Sequence, residues 1–163
     1  MDINLILDIK PFSWGSILIA LFCGGLIGLE RQLKGKPTGI RTCSLIILGT
    51  YIFMACSIFV TKDSDMTDPS RIIGQIITGI GFLGAGVMLS KGRSVYGVTS
   101  AATIWALAAI GICIGIGQLS SAVKLSIVVV LVLFVVDQFE EHTQKMSKRM
   151  HNRYTNWRER DND

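Results

Sequence analysis

The chain has 163 residues, of which 50% are hydrophobic and only 17% are charged, and its mean hydropathy is +0.49. Soluble domains carry about 25% charged residues, and disordered chains carry fewer apolar side chains than this one. The composition therefore excludes a disordered tail, a collagen-like repeat and a disulfide-stapled secreted miniprotein. The apolar residues form long uncharged blocks, which predicts a membrane protein.

Dividing the sequence at its charges predicts five transmembrane helices, because about 20 apolar residues are needed to cross a bilayer as a helix. The last uncharged block is too long for one helix and divides most naturally near Gly117. Four spans are the alternative. The fold class is an all-α polytopic bundle over residues 1–136, followed by a tail over residues 137–163. The predicted spans are 11–29, 42–61, 72–90, 98–117 and 122–136.

The basic residues between the spans set the orientation. Twelve Lys and Arg residues fall on one side of the predicted membrane and four on the other. The richer side is expected to be cytoplasmic, which places the N-terminus outside and the tail inside, and requires an odd number of spans. A cleaved signal peptide is disfavoured, because Asp2 and Asp8 precede the first span with a single Lys10 and no cleavage site follows.

Small residues recur at helical spacing in three of the spans. Residues 79–84 also match the nucleotide-binding pattern G-x-G-x-x-G, but the match lies within an apolar run and no acidic residue follows until Asp137. Close helix packing in lipid is the preferred interpretation, since small residues let backbones approach. The predicted packing residues are Ser16, Ala20, Gly24 and Gly28, then Gly74, Gly81, Gly84 and Ala85, then Ala108, Gly111 and Gly115.

The third span begins with a helix-start pattern and a polar stripe. Asp68 is a suitable N-cap before Pro69, and it can pair with Arg71 three residues on. Arg71, Gln75 and Thr78 follow at helical spacing and descend into the predicted bilayer. Two interpretations stay open: hydrogen bonds between helices, or the wall of an ion or ligand pocket.

Two further polar groups are candidates. Glu30 and Arg31 end the first span while Arg41 and Thr42 open the second, so an ion pair between Glu30 and Arg41 is plausible at one interface; positive-inside anchoring is the simpler explanation.

An acidic cluster, Asp63, Asp65 and Asp68, lies in the outer loop. It lacks the glycine and glutamate of an EF-hand and is at most a weak, water-rich cation site. The four cysteines form no CxxC pair and suit packing, so no cofactor is expected.

The tail carries apolar residues on one helical face among basic residues, from Phe139 to Trp157. This pattern is typical of a basic interfacial helix, or of a helix that packs on a partner subunit. Nucleic-acid binding is not supported, because the basic residues follow the membrane topology.

Four stretches together resemble the signatures of MgtC/SapB membrane proteins. They are residues 24–32, 39–42, 68–86 and 97–105, the last of which contains Thr99 and Thr103. The resemblance covers about residues 15–136 and implies a multi-pass bacterial inner-membrane protein. It also implies a link to magnesium limitation, to survival inside host cells and, in some members, to restraint of ATP synthase. Longer members add an ACT-like cytoplasmic domain that has no counterpart in these residues.

Two functions remain open at this point. The first is a non-enzymatic regulator, expected to form a homodimer or higher oligomer, that acts by helix contact with another membrane complex. The second is a small ion or solute transporter or channel subunit with a polar path along Arg71, Gln75 and Thr78. A transporter usually carries an acidic residue deep in a span, and none is present. The spans also contain no catalytic motif, so no enzyme activity is expected.

Overall fold

The computed structural model describes residues 9–62, 68, 70–91, 94–136 and 138. Within these residues the chain forms five α-helices and one short β-hairpin, in agreement with the predicted all-α fold. The helices are α1 (Trp14–Leu33), α2 (Ile40–Thr61), α3 (Ser70–Gly86), α4 (Val98–Gly115) and α5 (Leu119–Val136). The hairpin strands are β1 (Leu89–Lys91) and β2 (Ser94–Tyr96).

Four of the helices, α1, α2, α4 and α5, are long and apolar enough to cross a membrane. The fifth, α3, has 17 residues and rises about 25 Å at 1.5 Å per residue, slightly less than the hydrocarbon thickness of about 30 Å. The predicted tail lies outside the described residues, apart from position 138. The chain divides into two compact units, Met1–Val130 and Leu131–Asp163, and the helix contacts and the groove described below belong to the first.

The predicted third span, 72–90, is wrong at its C-terminal end. The helix stops at Gly86, and residues 89–91 pair antiparallel with residues 94–96. The uncharged sequence indicates an apolar environment but does not distinguish a helix from a hairpin. Gly97 closes this connection with a φ of 88°, and a Cβ at that position would overlap the carbonyl oxygen of Val87.

The first span was predicted to end at Leu29, but α1 continues through Glu30 and Arg31 to Leu33. The two charged side chains neutralise each other, so they do not end the helix. The end is set by Gly35, which has a φ of 63°. The amide of Lys36 donates to the Arg31 carbonyl at 3.0 Å and that of Gly35 to the Gln32 carbonyl at 3.1 Å, a Schellman motif.

Helix α4 ends in the same way, which explains where the last two helices divide. Gly117 has a φ of 82°. Its amide donates to the Ile114 carbonyl at 3.0 Å, and the amide of Gln118 donates to the Cys113 carbonyl at 2.8 Å. A side chain with a Cβ is disfavoured at such a left-handed position, so the glycine stops the helix.

Glycines bring α1 and α4 against α2. A Cβ on Gly24 would lie 2.5 Å from the Cα atom of Ser44, and one on Gly111 would lie 2.7 Å from the Cβ atom of Thr50. Gly28 and Gly115 make similar approaches further along the same helices, to Ile40 and Met54.

Helix α3 packs instead on α4, through a small cluster of Ile80, Ile104 and Ala108. Close contact through small residues is what stabilises helix pairs in lipid, and α2 makes such contacts with both α1 and α4.

Candidate functional site: a groove between α2 and α3

A groove of about 1020 Å³ separates α2 from α3. Because α3 packs mainly on α4, its other edge stands apart from α2 and leaves the groove open. The walls are mostly apolar and each helix contributes one face. The lining residues are Arg41, Thr42, Leu45, Ile46, Gly49, Thr50, Phe53, Cys56, Ser57, Val60 and Thr61 of α2, and Asp68, Arg71, Ile72, Gln75, Ile76, Gly79, Ile80 and Leu83 of the α3 segment.

The charged lining residues lie at the two ends of the groove. Arg41 and Thr42 belong to the first turn of α2, at one end. Asp68 precedes α3, and Arg71 and Gln75 lie in its first two turns. The start of α3 follows the C-terminal end of α2, so these residues lie at the other end. Five residues that were singled out from the sequence thus share one groove, although they come from two separate stretches of the chain.

Asp68 caps α3. Its carboxylate accepts hydrogen bonds from the backbone amide of Ser70 at 2.8 Å and from the Ser70 hydroxyl at 2.6 Å. These bonds favour the charged form and lower the pKa of Asp68 below its ordinary value, with a smaller contribution from the charge of Arg71. The expected direct pairing of Asp68 with Arg71 is therefore replaced by bonds to Ser70, and the arginine acts on the carboxylate through its charge.

The predicted polar stripe ends at Gln75. Thr78 is exposed, and its hydroxyl donates to the Gly74 carbonyl of its own helix at 2.9 Å. Thr78 does not contribute to the groove wall. A threonine in a helix commonly satisfies its hydroxyl in this way, so helical spacing alone overestimated the length of the stripe.

Glu30 and Arg31 form their own ion pair away from the groove. The Nε atom of Arg31 lies 2.5 Å from one carboxylate oxygen of Glu30, and its Nη2 atom donates to the other at 2.8 Å. The Arg31 side chain is fully buried. The predicted pair of Glu30 with Arg41 is not formed, because the adjacent arginine reaches both carboxylate oxygens and Arg41 lies at the groove.

Thr99 and Thr103 also lie outside the groove. Thr103 is buried, and its hydroxyl donates to the Thr99 carbonyl at 2.8 Å. Both residues belong to the first turns of α4. The Thr103 hydroxyl is thus used within that helix, whereas the Thr99 side chain is exposed.

The small residues of α3 differ from those of α1 and α4 in what they contact. Gly84 makes an ordinary contact, since a Cβ added to it would lie 3.7 Å from the Cβ atom of Ala101. Gly74, Gly81 and Ala85 are exposed. No described atom lies within 4 Å of the position that a Cβ would occupy on Gly74 or Gly81. We call these three residues, together with Thr78, the outer face of α3.

The remaining sequence-based candidates fall into two sets. Ser16 and Ala20 are buried on α1, in line with Gly24 and Gly28. Asp63 and Asp65 lie outside the described residues. Among the residues that are described, no group of three or more His, Cys, Asp or Glu side chains is placed to hold a metal ion.

The sequence patterns did not single out the groove-facing small residues of α2. Gly49 and Cys56 are seven residues apart, as are Thr50 and Ser57, and all four line the groove. Ser57 is buried, and its hydroxyl has no hydrogen-bond partner within the described part of the chain. The seven-residue spacing marks one helix face and was the signal available in the sequence.

Comparison with known proteins places the chain among relatives from other bacteria. It is 43% identical over 127 residues to "Putative magnesium transporter YhiD" of Escherichia coli K12, which is 75% of this chain and 59% of the relative. It is 41% identical over 114 residues to protein MgtC of Salmonella typhimurium LT2, which is 70% of this chain and 48% of the relative. An uncharacterized protein of Haemophilus influenzae is 36% identical over 148 residues, 86% of this chain and 62% of the relative.

The chain thus spans between 48% and 62% of the length of these curated relatives. No solved structure matches it. Residues 17–142 match the MgtC family, a range that contains all five helices except the first turn of α1. Together with the four helices able to cross a bilayer, this match shows that the chain belongs to the MgtC family and is a multi-pass protein of the bacterial inner membrane.

Proposed function

We propose that this protein is a non-enzymatic regulator linked to magnesium homeostasis, which acts by transmembrane helix contact with another membrane protein. The magnesium link rests on the names of the relatives, one of which is "Putative magnesium transporter YhiD" and another "Protein MgtC". The mode of action rests on the outer face of α3.

The proposal rests on the outer face of α3, where small residues are exposed. Elsewhere in the molecule, small residues form contacts between helices. Gly24 and Gly111 bring α1 and α4 into backbone contact with α2, whereas Gly74 and Gly81 face open space. Since apolar helices gain little hydrophobic energy by leaving lipid, small residues are what make close helix contact favourable. The outer face of α3 therefore has the composition of a helix–helix contact and lacks a helix within the described chain.

Photo-crosslinking in native membranes tests the proposal. A photoreactive residue at Gly81 is expected to capture a membrane protein, and the captured band identifies it as a second copy, as ATP synthase, or as another complex. The variant Gly74→Leu should weaken capture from Gly81, because it places a bulky side chain on the same face. Gly25→Leu is the matched control, since Gly25 is a helical glycine with open space around it on α1. Capture of lipid alone at Gly81 would count against the proposal.

Transport is the second candidate function, and one observation favours it. Arg71 and Gln75 line the groove together with Asp68, as expected for the entrance of a polar path. Beyond this entrance, however, the groove wall contains no further acidic residue among the described positions, and a cation path normally needs one. Purified protein in liposomes should therefore move neither Mg²⁺ nor protons. Uptake that Gln75→Leu abolishes would establish transport instead.

A further inference from the structure

The groove between α2 and α3 is large enough for a small molecule and has mostly apolar walls. It has a volume of about 1020 Å³, at the upper end of the range for small-molecule sites. Its middle section is uncharged and mostly apolar, and side chains such as Leu45 and Phe53 are 62% and 66% exposed. Walls of this composition suit an apolar molecule from the bilayer.

The charges at the two ends of the groove are unequal. Asp68 is the one acidic residue among the described lining residues, and it lies with Arg71, so that end is close to neutral. Arg41 at the other end has no acidic lining residue beside it. The acidic residue at the end of α1, Glu30, is already held by Arg31 at 2.5 Å and 2.8 Å. The Arg41 end therefore keeps its positive charge and suits an anion.

The local backbone adds to this positive charge. Gly39, the N-cap of α2, supplies no side-chain acceptor, and the first turn of α2 contains no acidic residue. The amide groups of a helix's first turn carry partial positive charge and lack partners within the helix. Thr42, in the same turn, places a hydroxyl donor on the groove wall beside Arg41.

We infer that the groove binds an anionic phospholipid, with the phosphate at Arg41 and Thr42 and an acyl chain along the wall past Leu45 and Gly49. The dimensions agree. From Arg41 to Phe53, α2 rises about 18 Å at 1.5 Å per residue, which is slightly more than half of the hydrocarbon thickness of about 30 Å. One lipid of a single leaflet matches this length, with its headgroup at the interface where α2 begins.

A flexible acyl chain fits this wall better than a second helix does. Two helices pack closely where both contact surfaces consist of small residues. The α3 side of the groove presents mainly large side chains such as Ile72, Ile76 and Leu83. An acyl chain adapts to such a surface. The lipid site is separate from the outer face of α3, so either assignment can fail without the other.

Native mass spectrometry of the intact chain tests the inference. The protein is reconstituted in vesicles of mixed phosphatidylglycerol and phosphatidylcholine, extracted in mild detergent, and its retained lipid is measured. The wild-type protein is expected to retain phosphatidylglycerol preferentially. Arg41→Gln should reduce that preference about fivefold, the factor expected for one near-surface cation. Arg41 is exposed, so the substitution leaves the packed core intact.

Two further variants make the test specific. Lys36→Gln removes a cation from the same basic loop outside the groove wall and should change the preference less than twofold. No described atom lies within 4 Å of the position that a Cβ would occupy on Gly49. Gly49→Leu should therefore place its side chain in the groove and displace the lipid whatever its headgroup. The inference is overturned if Lys36→Gln and Arg41→Gln have equal effects, if Gly49→Leu retains the same lipid, or if a protein helix is found in the groove instead.

Discussion

Gly28 of α1 lies so close to Ile40 of α2 that a methyl group on the glycine would overlap the Cα atom of Ile40. The neighbouring approach of Gly24 to Ser44 is of the same kind, since an added Cβ would lie 2.5 Å from the Cα atom of the serine. Both partners are backbone atoms, which cannot rotate away as the end of a flexible side chain can. The two helices are therefore held at a distance that only glycine permits.

Substitution at this contact should destabilise the protein. Gly28→Ala forces α1 and α2 apart, and overpacking of this kind costs about 1–3 kcal/mol. Gly25→Ala, one turn away and facing open space, should instead be neutral or stabilise the helix by about 0.5–1 kcal/mol. Unfolding in mixed micelles under a denaturing detergent measures both. Equal effects of the two substitutions would show that the contact is looser than described.

The buried pair of Glu30 and Arg31 gives a second prediction. Glu30→Leu leaves the fully buried Arg31 without its carboxylate, and breaking a buried pair in this way costs about 3–5 kcal/mol. The double variant Glu30→Leu with Arg31→Met removes both charges and should lose less stability than Glu30→Leu alone. The same micelle unfolding experiment measures this. A double variant less stable than Glu30→Leu would mean that Arg31 contributes chiefly through contacts other than this pair.

Asp68 makes the start of α3 sensitive to acid. Its folded-state pKa lies below the ordinary value because Ser70 donates to the carboxylate. The resulting stabilisation is complete above the unfolded-state pKa and is lost as the pH falls through the lowered folded-state pKa. The amide resonance of Ser70, followed by NMR in micelles, should shift across that acidic window. Asp68→Asn keeps an acceptor for the cap and should abolish the shift, so an unchanged titration in this variant would rule out Asp68 as its source.

The orientation can be checked with single cysteines in a background that lacks the four native ones. Lys36→Cys and Lys91→Cys are expected to react with an impermeant reagent from the cytoplasmic side, and Lys62→Cys from the outside. The pair Lys62 and Lys91 decides whether the short helix α3 crosses the membrane. If both were labelled from the same side, α3 would not be a span and the chain would cross the membrane four times.

The sequence was sufficient to locate the helices, because each span is a long run of uncharged residues and the bilayer fixes the length that such a run needs. Helix α4 begins at Val98 as predicted, and α2 ends at Thr61 as predicted. The end of α3 could not be predicted in this way, since residues 87–90 are uncharged but belong to a turn and a strand. Apolar character reports the environment of a segment and leaves its backbone conformation open.

The site was predictable in part. The charges of Arg41, Asp68 and Arg71 stand out in an apolar sequence, and all three line the groove. Their common location depends on how α2 and α3 pair, which spacing along one helix does not reveal. The predicted ion pair of Glu30 with Arg41 was wrong for the same reason. Arg31, the next residue, and Arg41, on the next helix, are both expected at the same membrane interface, and the sequence alone does not show which of them contacts Glu30.

The glycine contacts of α2 with α1 and with α4 also order the assembly of the molecule in time. The contact with α1 is complete as soon as the first two helices have been synthesised. The contact of Gly111 with Thr50 must wait until α3, the hairpin and most of α4 have emerged from the ribosome. During that interval the part of α2 that α4 will contact faces lipid or the insertion machinery, and α4 displaces whatever has occupied it.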